Sequence, residues 1–252
     1  MFEVKVAKDT FKFNAAHFVA FRNFRERLHG HNYTVAVRLL GSRKIGSDGY
    51  VLDFGDIKAV TKKVCKDLNE HFLCPTLSDT IAITVEGDDG KENVKLVCED
   101  GATFLFPLSD CSMLPIVHAT AEELAIYVWC KILQGLDGEL LRKRGIHTME
   151  VTVAEAVGQE ALFRYEIPDD VPANFALDVR DFIANGGIVP KPCFPSTSKN
   201  GSKICDGSCQ ASKQIFSAKL EKLAQSINQG SLQNKEEAVT TKTLEDLIAN
   251  EN

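Results

Sequence analysis

The sequence predicts an α+β domain in which an antiparallel sheet carries helices on one side. Three observations point there. Two segments near the N-terminus alternate apolar and polar side chains, two stretches have helical periodicity, and a second alternating pair closes the region before residue 168. The composition suits such a domain. With 252 residues, 44% hydrophobic and 25% charged, the chain can bury one sizeable core or two modest ones. A net charge of -6 offers no basic footprint for nucleic acid or an anionic membrane surface. No apolar run approaches the length of about 18 residues that would span a bilayer. Met1-Phe2-Glu3-Val4-Lys5-Val6 alternates like a strand and lacks the basic start and apolar block of a signal peptide. Eight scattered cysteines then read as reduced thiols, and a cytoplasmic location is expected.

Taken in order, Phe11, Phe13, Ala15 and His17 share one face of an extended segment, and Tyr33, Val35, Val37 and Leu39 share one face of the next. A helix starts at Asp53, a suitable N-cap, with Ile57, Val60, Val64 and Leu68 as its buried stripe. Three short strands follow at 81–85, 94–98 and 102–106, with turns at Asp88-Asp89-Gly90 and Asp100-Gly101. Thr120-Ala121-Glu122-Glu123 has the form of a capping box, and Leu124, Val128 and Ile132 make the stripe of the second helix. Strands at 148–156 and 161–167 meet at Val157-Gly158-Gln159. After Asp169 the chain turns polar and proline-punctuated. The expected organisation is therefore a domain over 1–168 and an extension over 169–252, with one narrow-striped helix at 215–227 and a disordered end.

Three of the six histidines fall in the first strand pair. His29-Gly30-His31 places two imidazoles on one face of a strand, and His17 ends the strand before it. If those strands pair antiparallel, three imidazoles converge, which with one open position is the donor set of a catalytic zinc. The same spacing also fits a strand-ending His17 and two loop histidines.

The motifs decide more than the spacing. Phe13-Asn14-Ala15-Ala16-His17, Leu28-His29-Gly30-His31-Asn32-Tyr33, Gly49-Tyr50-Val51-Leu52-Asp53-Phe54, Leu68-Asn69-Glu70-His71-Phe72-Leu73 and Ala119-Thr120-Ala121-Glu122-Glu123-Leu124 occur in that order. Together they resemble the 6-pyruvoyl-tetrahydropterin synthase family, which includes the 6-carboxy-tetrahydropterin synthases. The resemblance implies a tunnelling fold: four antiparallel strands and two helices per subunit, trimers that close barrels, and two stacked trimers forming a homohexamer with active sites between subunits. It implies that His17, His29 and His31 bind Zn2+, that Glu155 anchors the pterin, and that Thr120 belongs to the threonine-rich pterin contact. It also implies that His71 is catalytic, paired with the preceding carboxylate, here Glu70. The connection from about 76 to 117 is longer than the family's usual one and carries the extra meander. The extension has no counterpart there, and Cys193, Cys205 and Cys209 read as free thiols.

One position departs from the synthases. They rely on a cysteine a few residues before His-Gly-His, whereas residues 21–28 here read Phe-Arg-Asn-Phe-Arg-Glu-Arg-Leu. Glu26-x-x-His29-Gly30-His31 resembles the subgroup that makes 6-hydroxymethyl-7,8-dihydropterin for folate synthesis. A carboxylate is a weaker base than a thiolate, but it suffices for a hydroxyl acidified by a metal. The expectation is a zinc-dependent lyase acting on 7,8-dihydroneopterin triphosphate, with Glu26, Glu70 and His71 catalytic. Arg25, with Arg22 and Arg27, is expected to hold the triphosphate. The alternatives are 6-pyruvoyl- or 6-carboxy-tetrahydropterin formation, or a non-catalytic pterin-binding scaffold.

Overall fold

A computed structural model describes residues 1–167, apart from 44 and 89. The expectations for the helix at 215–227, the polar end and the three late cysteines lie outside the described residues. Eleven strands and three α-helices make up the described part. The main sheet has the order β11-β10-β4-β1-β5-β9. Its centre is two long antiparallel strands, β1 (Phe2–His17) and β4 (His29–Gly41), paired from Phe2↔Gly41 to His17↔His29. β10 (Ile146–Ala156) joins β4, and β11 (Gln159–Glu166) joins β10, both antiparallel.

The four-stranded antiparallel sheet is therefore present, but two strands extend it. β5 (His71–Pro75) lies parallel to β1, and β9 (Cys111–Leu114) parallel to β5, so the sheet is mixed and six-stranded. The sequence conceals β5 because it is covered on both faces: Leu73 faces the main core, while Phe72 and Cys74 join a second cluster. A continuous apolar run of four residues, Phe72 to Pro75, has no period to detect.

β1 also contains a phase change. Val4 and Val6 are buried at even positions, whereas Phe11, Phe13, Ala15 and His17 are buried at odd ones. A regular strand cannot do both, since side chains alternate strictly. Between Ala7 and Lys12 the register with β4 shifts, which returns the second half of the strand to the core face.

The core face is covered by α1 (Phe54–Leu68) and α2 (Ala121–Gly135). Asp53 caps α1, accepting from the Gly55 N–H at 2.7 Å, and Ile57, Val64 and Leu68 are buried as their spacing predicts. Thr120 caps α2 by accepting from the Glu123 N–H at 3.3 Å. The second half of the expected capping box is absent, because the Glu123 carboxylate accepts from Val117 and His118 N–H groups instead. Trp129, fully buried in α2, donates its indole N–H to the Met149 carbonyl at 2.9 Å and ties the helix to β10. A short third helix, α3 (Gly138–Lys143), adds to the two that the sequence predicts; Asp137 caps it.

The three strands expected after α1 are present: β6 (Ile81–Glu86), β7 (Asn93–Cys98) and β8 (Thr103–Pro107) form a meander, a separate antiparallel sheet. Ile81, Ile83, Val94, Leu96 and Cys98 pack with Phe18, Phe72, Cys74 and Cys111 in the second cluster. A two-stranded hairpin, β2 (Ala20–Phe21) and β3 (Phe24–Arg25), lies between β1 and β4. Among the described residues, no helix is long and apolar enough to cross a membrane.

Candidate active site

The core-facing stripes of three adjacent strands run out at the same end of the sheet. On β1 the stripe ends at His17; on β4 it rises through Val35, Tyr33, His31 and His29; on β10 it ends at Glu155. The register makes the convergence. His17 pairs with His29 and Ala15 with His31, so the three rings meet with centroids 4.6, 5.1 and 4.9 Å apart. One nitrogen from each of His17, His29 and His31 lies within 4.8 Å of the others. Gly30 permits this approach: a side chain there would meet the Ala15 carbonyl oxygen at 3.0 Å.

The tautomers are set by the backbone. His17 Nδ1 donates to the Ala119 carbonyl at 2.7 Å, and His29 Nδ1 donates to the Arg27 carbonyl at 2.7 Å. Nε2 of each ring then carries a lone pair. His17 Nε2 is buried with no hydrogen-bond partner, a costly state for a polar atom. Burial also holds the His17 imidazole below its ordinary pKa, against the Ala119 carbonyl and the Glu155 charge, which act the other way. A neutral, oriented imidazole with an unpartnered nitrogen is the ligand a zinc ion takes, and three of them leave an open position.

Glu155 stands beside this cluster. Its Oε1 lies 4.0 Å from His17 Nε2 and accepts from the Tyr33 hydroxyl at 3.2 Å. Tyr33 is fully buried, stacked on Phe13 at 4.7 Å, with His31 and His17 edge-on to it. Burial first, then the charge and hydrogen bond of Glu155 and the charge of Glu26, push the Tyr33 phenol well above its ordinary pKa. It remains a donor at any working pH. The alternation of its strand presents Tyr33 as a core residue; its place two residues after His31 on the same face is the signal that ties it to the site.

His71 is brought in from the other side of β1. It pairs with Ala15, as His31 does from β4, so both imidazoles flank one small residue. The expected Glu70–His71 carboxylate pair is not what orients the ring. His71 Nδ1 donates to the Asn69 carbonyl at 2.6 Å, and Glu70 is exposed. Glu70 occupies the left-handed region, φ 62°, and its N–H donates to Asn14, so the residue makes the turn from α1 into β5. Thr120 is seen as a helix cap beside Ala119, whose carbonyl orients His17.

Glu26 is half-buried on the loop that leads into His29. Its N–H donates to the Val19 carbonyl at 2.9 Å, and its Oε2 accepts from the Val19 N–H at 3.0 Å. The Arg25 guanidinium, expected to face substrate, turns instead to the meander: Nε donates to Asp100 Oδ2 and Nη1 to the Glu26 carbonyl, both at 2.8 Å. Arg22 and Arg27 are exposed.

Comparison with known proteins agrees with this fold. The family model described as 6-pyruvoyl tetrahydropterin synthase matches residues 5–166. A 6-pyruvoyl tetrahydropterin synthase of Plasmodium vivax is similar in structure, with TM-score 0.62 and 43% identity, covering 66% of this chain and 98% of that one. Two further structures of the P. vivax enzyme, 42% identical with TM-scores of 0.61 and 0.62, replace a glutamate described as a catalytic residue, by alanine in one and by cysteine in the other. The enzyme of Plasmodium falciparum gives TM-score 0.61 at 41% identity, with the same coverage of 66% and 98%. A Methanocaldococcus jannaschii protein, "Putative 6-carboxy-5,6,7,8-tetrahydropterin synthase", is 30% identical over 153 residues, 61% of this chain and 89% of its own length. With the tunnelling-fold architecture and the motif histidines in place, the chain belongs to the 6-pyruvoyl tetrahydropterin synthase family, lyases of pterin metabolism.

Proposed function

We propose that this chain is a zinc-dependent lyase that converts 7,8-dihydroneopterin triphosphate to 6-hydroxymethyl-7,8-dihydropterin. The observation that carries the reading is Glu26: a carboxylate, on a segment 21–28 that holds no cysteine, three residues before the first histidine of His29-Gly30-His31. The P. vivax relative, in which a glutamate is described as catalytic, supports it. His17, His29 and His31 would hold the metal, His17 and His29 through the Nε2 that their backbone hydrogen bonds leave available. Zinc there supplies the positive charge that makes a side-chain hydroxyl of the substrate more acidic.

The chain's own groups do the rest. Glu155, fixed by Tyr33, accepts the paired N–H donors of the pterin ring, a two-bond contact that sets the ring's orientation. Glu26 keeps Oε2 on Val19 and uses Oε1 to take the proton of the second side-chain hydroxyl. The bond between the first and second side-chain carbons then breaks. The second carbon leaves as an aldehyde bearing the triphosphate, and the electron pair passes into the dihydropterin ring. His71, held by Asn69, returns a proton to the ring-attached carbon, with Glu70 adding negative potential beside it. Arg22 and Arg27 meet the triphosphate. Thr120 fixes the start of α2 and with it the Ala119 carbonyl that orients His17.

Assembly completes the proposal. Among the described residues β11 and β9 are the outer strands of the main sheet, and the edges of a sheet are removed by closing a ring of subunits. A trimer or a hexamer of two trimers is expected by light scattering; a monodisperse monomer would contradict it. The reaction is tested by incubating the purified protein with the substrate and identifying products by mass. Hydroxymethyl-dihydropterin is expected. Pyruvoyl- or carboxy-tetrahydropterin would move the chain to the other subgroup, and tight pterin binding without turnover would make it a scaffold.

A further inference from the structure

The loop that carries Glu26 is fastened to the β6–β8 meander and its lead-in at four residues between Phe18 and Arg25. Phe18, at the loop's start, is stacked on Phe104 of β8 with centroids 5.0 Å apart. The Ala20 carbonyl accepts from the Thr80 hydroxyl at 3.3 Å, and the Asn23 N–H donates to Glu99 Oε2 at 3.2 Å. At the far end sits Arg25. Its guanidinium lies 5.5 Å from the Phe104 ring centre and 5.9 Å from that of Phe18. One edge reaches Asp100, in the turn between β7 and β8, and the other returns to the carbonyl of Glu26 itself. Asp100 is held in turn by the Ala102 N–H, which it accepts at 3.0 Å.

Each part of this arrangement acts on the same residue. The Val19 pair closes the loop at its base, and Arg25 fixes the main chain of Glu26 from the outside. A planar guanidinium can hold two acceptors at once in fixed directions, whereas a lysine offers a single flexible point charge. A base must stand within hydrogen-bond reach of its proton, so an error of about 1 Å in its position is worth on the order of a hundredfold in rate.

We infer that Arg25 and Asp100 form a clasp by which the β6–β8 meander positions Glu26 for proton abstraction, making Arg25 a positioning residue and not a triphosphate ligand. This rests on the reading of Glu26 as the base, and the test separates the two. Arg25→Ala and Asp100→Ala are assayed for kcat, KM and zinc content, each alone and in a Glu26→Gln background. Either change lowers kcat by a factor on the order of ten to a hundred, with KM and zinc content nearly unchanged. The two together cost little more than one. Arg25→Lys recovers only part of the loss, since it cannot hold both acceptors. In the Glu26→Gln background neither change lowers kcat further, because the group being positioned is already gone.

A raised KM with kcat kept would make Arg25 a substrate ligand and overturn the inference. So would wild-type kinetics in both variants, or losses that add fully to that of Glu26→Gln. If Glu26→Gln itself turns over normally, the reading of the base fails and the clasp falls with it. If Glu26→Gln is inactive while Arg25→Ala and Asp100→Ala are normal, only the clasp fails. Should Arg25→Ala not fold, Asp100→Ala, a change in an exposed turn, carries the same comparison alone.

Discussion

The histidine cluster and the Glu26 loop sit at the same end of the sheet but are positioned by different physics. The histidines are held by strand register. Pairing from Phe2↔Gly41 to His17↔His29 runs the length of two long strands, so a slip of one residue would turn every core side chain to the other face. Glu26 lies on a loop of short hairpin strands, fixed by side-chain contacts to a meander about seventy-five residues away in sequence. A metal centre built on register would be locked by the whole core, whereas a base built on a tethered loop would depend on a few contacts. The two parts should therefore fail independently.

The largest effect expected is on the register side. His29→Ala leaves two imidazoles, too few to hold zinc against solvent, and should give a metal-poor, inactive protein that still folds. Full zinc occupancy by elemental analysis would remove His29 from the metal site. Next comes a matched pair of core truncations. Leu39 in the main cluster and Leu96 in the meander cluster are both fully buried, and each change to Ala should cost about 2–5 kcal/mol in denaturant unfolding. The comparison predicts that Leu96→Ala also lowers kcat under conditions where the protein stays folded, while Leu39→Ala does not. Equal kinetics would mean that the meander does not position the loop.

Smaller effects test the detail. Tyr33→Phe removes the donor to Glu155 and should raise KM about tenfold, in line with roughly 1.5 kcal/mol for a hydrogen bond to a charged group. An unchanged KM would leave Glu155 oriented by something else. Burial pushes the Cys65 and Cys74 thiols up to about 12, so they stay protonated at neutral pH. Peptide mapping after brief iodoacetamide treatment of the folded protein should find both unmodified; rapid labelling would mean that they open readily. The smallest effect concerns the Asp48–Arg144 ion pair, which ties the loop before α1 to the turn before β10. The Arg144 hydrogen bond, foremost, holds the Asp48 carboxyl well below the usual carboxylate range. A lowered folded-state pKa stabilises above the ordinary carboxylate range and ceases to do so as pH falls through it and below. Asp48→Asn should therefore melt slightly lower than the parent at neutral pH, and the gap should close in acid. A gap that widens in acid would contradict the pair's role.

The same division explains what the sequence made legible. Period-two stripes announced β1, β4, β10 and β11, and the i, i+2 spacing of His29 and His31 announced their common face, because these depend on neighbours in the chain. Asp53 and Thr120 were readable as caps for the same reason. β5 and β9 were not, since short strands covered on both sides carry no period. The choice among competing side-chain partners was also hidden. Spacing alone does not tell that Arg25 turns to Asp100, that Glu123 leaves the capping box for the Val117 and His118 amides, or that Asn69 and not Glu70 orients His71.

One measurement tests the central claim most directly: zinc content and turnover of Glu26→Gln beside the parent protein, with 7,8-dihydroneopterin triphosphate as substrate. Gln keeps the size of the side chain and its hydrogen bond to Val19 while removing its basicity. The account predicts full zinc occupancy with turnover lower by a factor on the order of a hundred to ten thousand, the worth of a positioned base. Near-normal turnover, or loss of zinc together with activity, would contradict it.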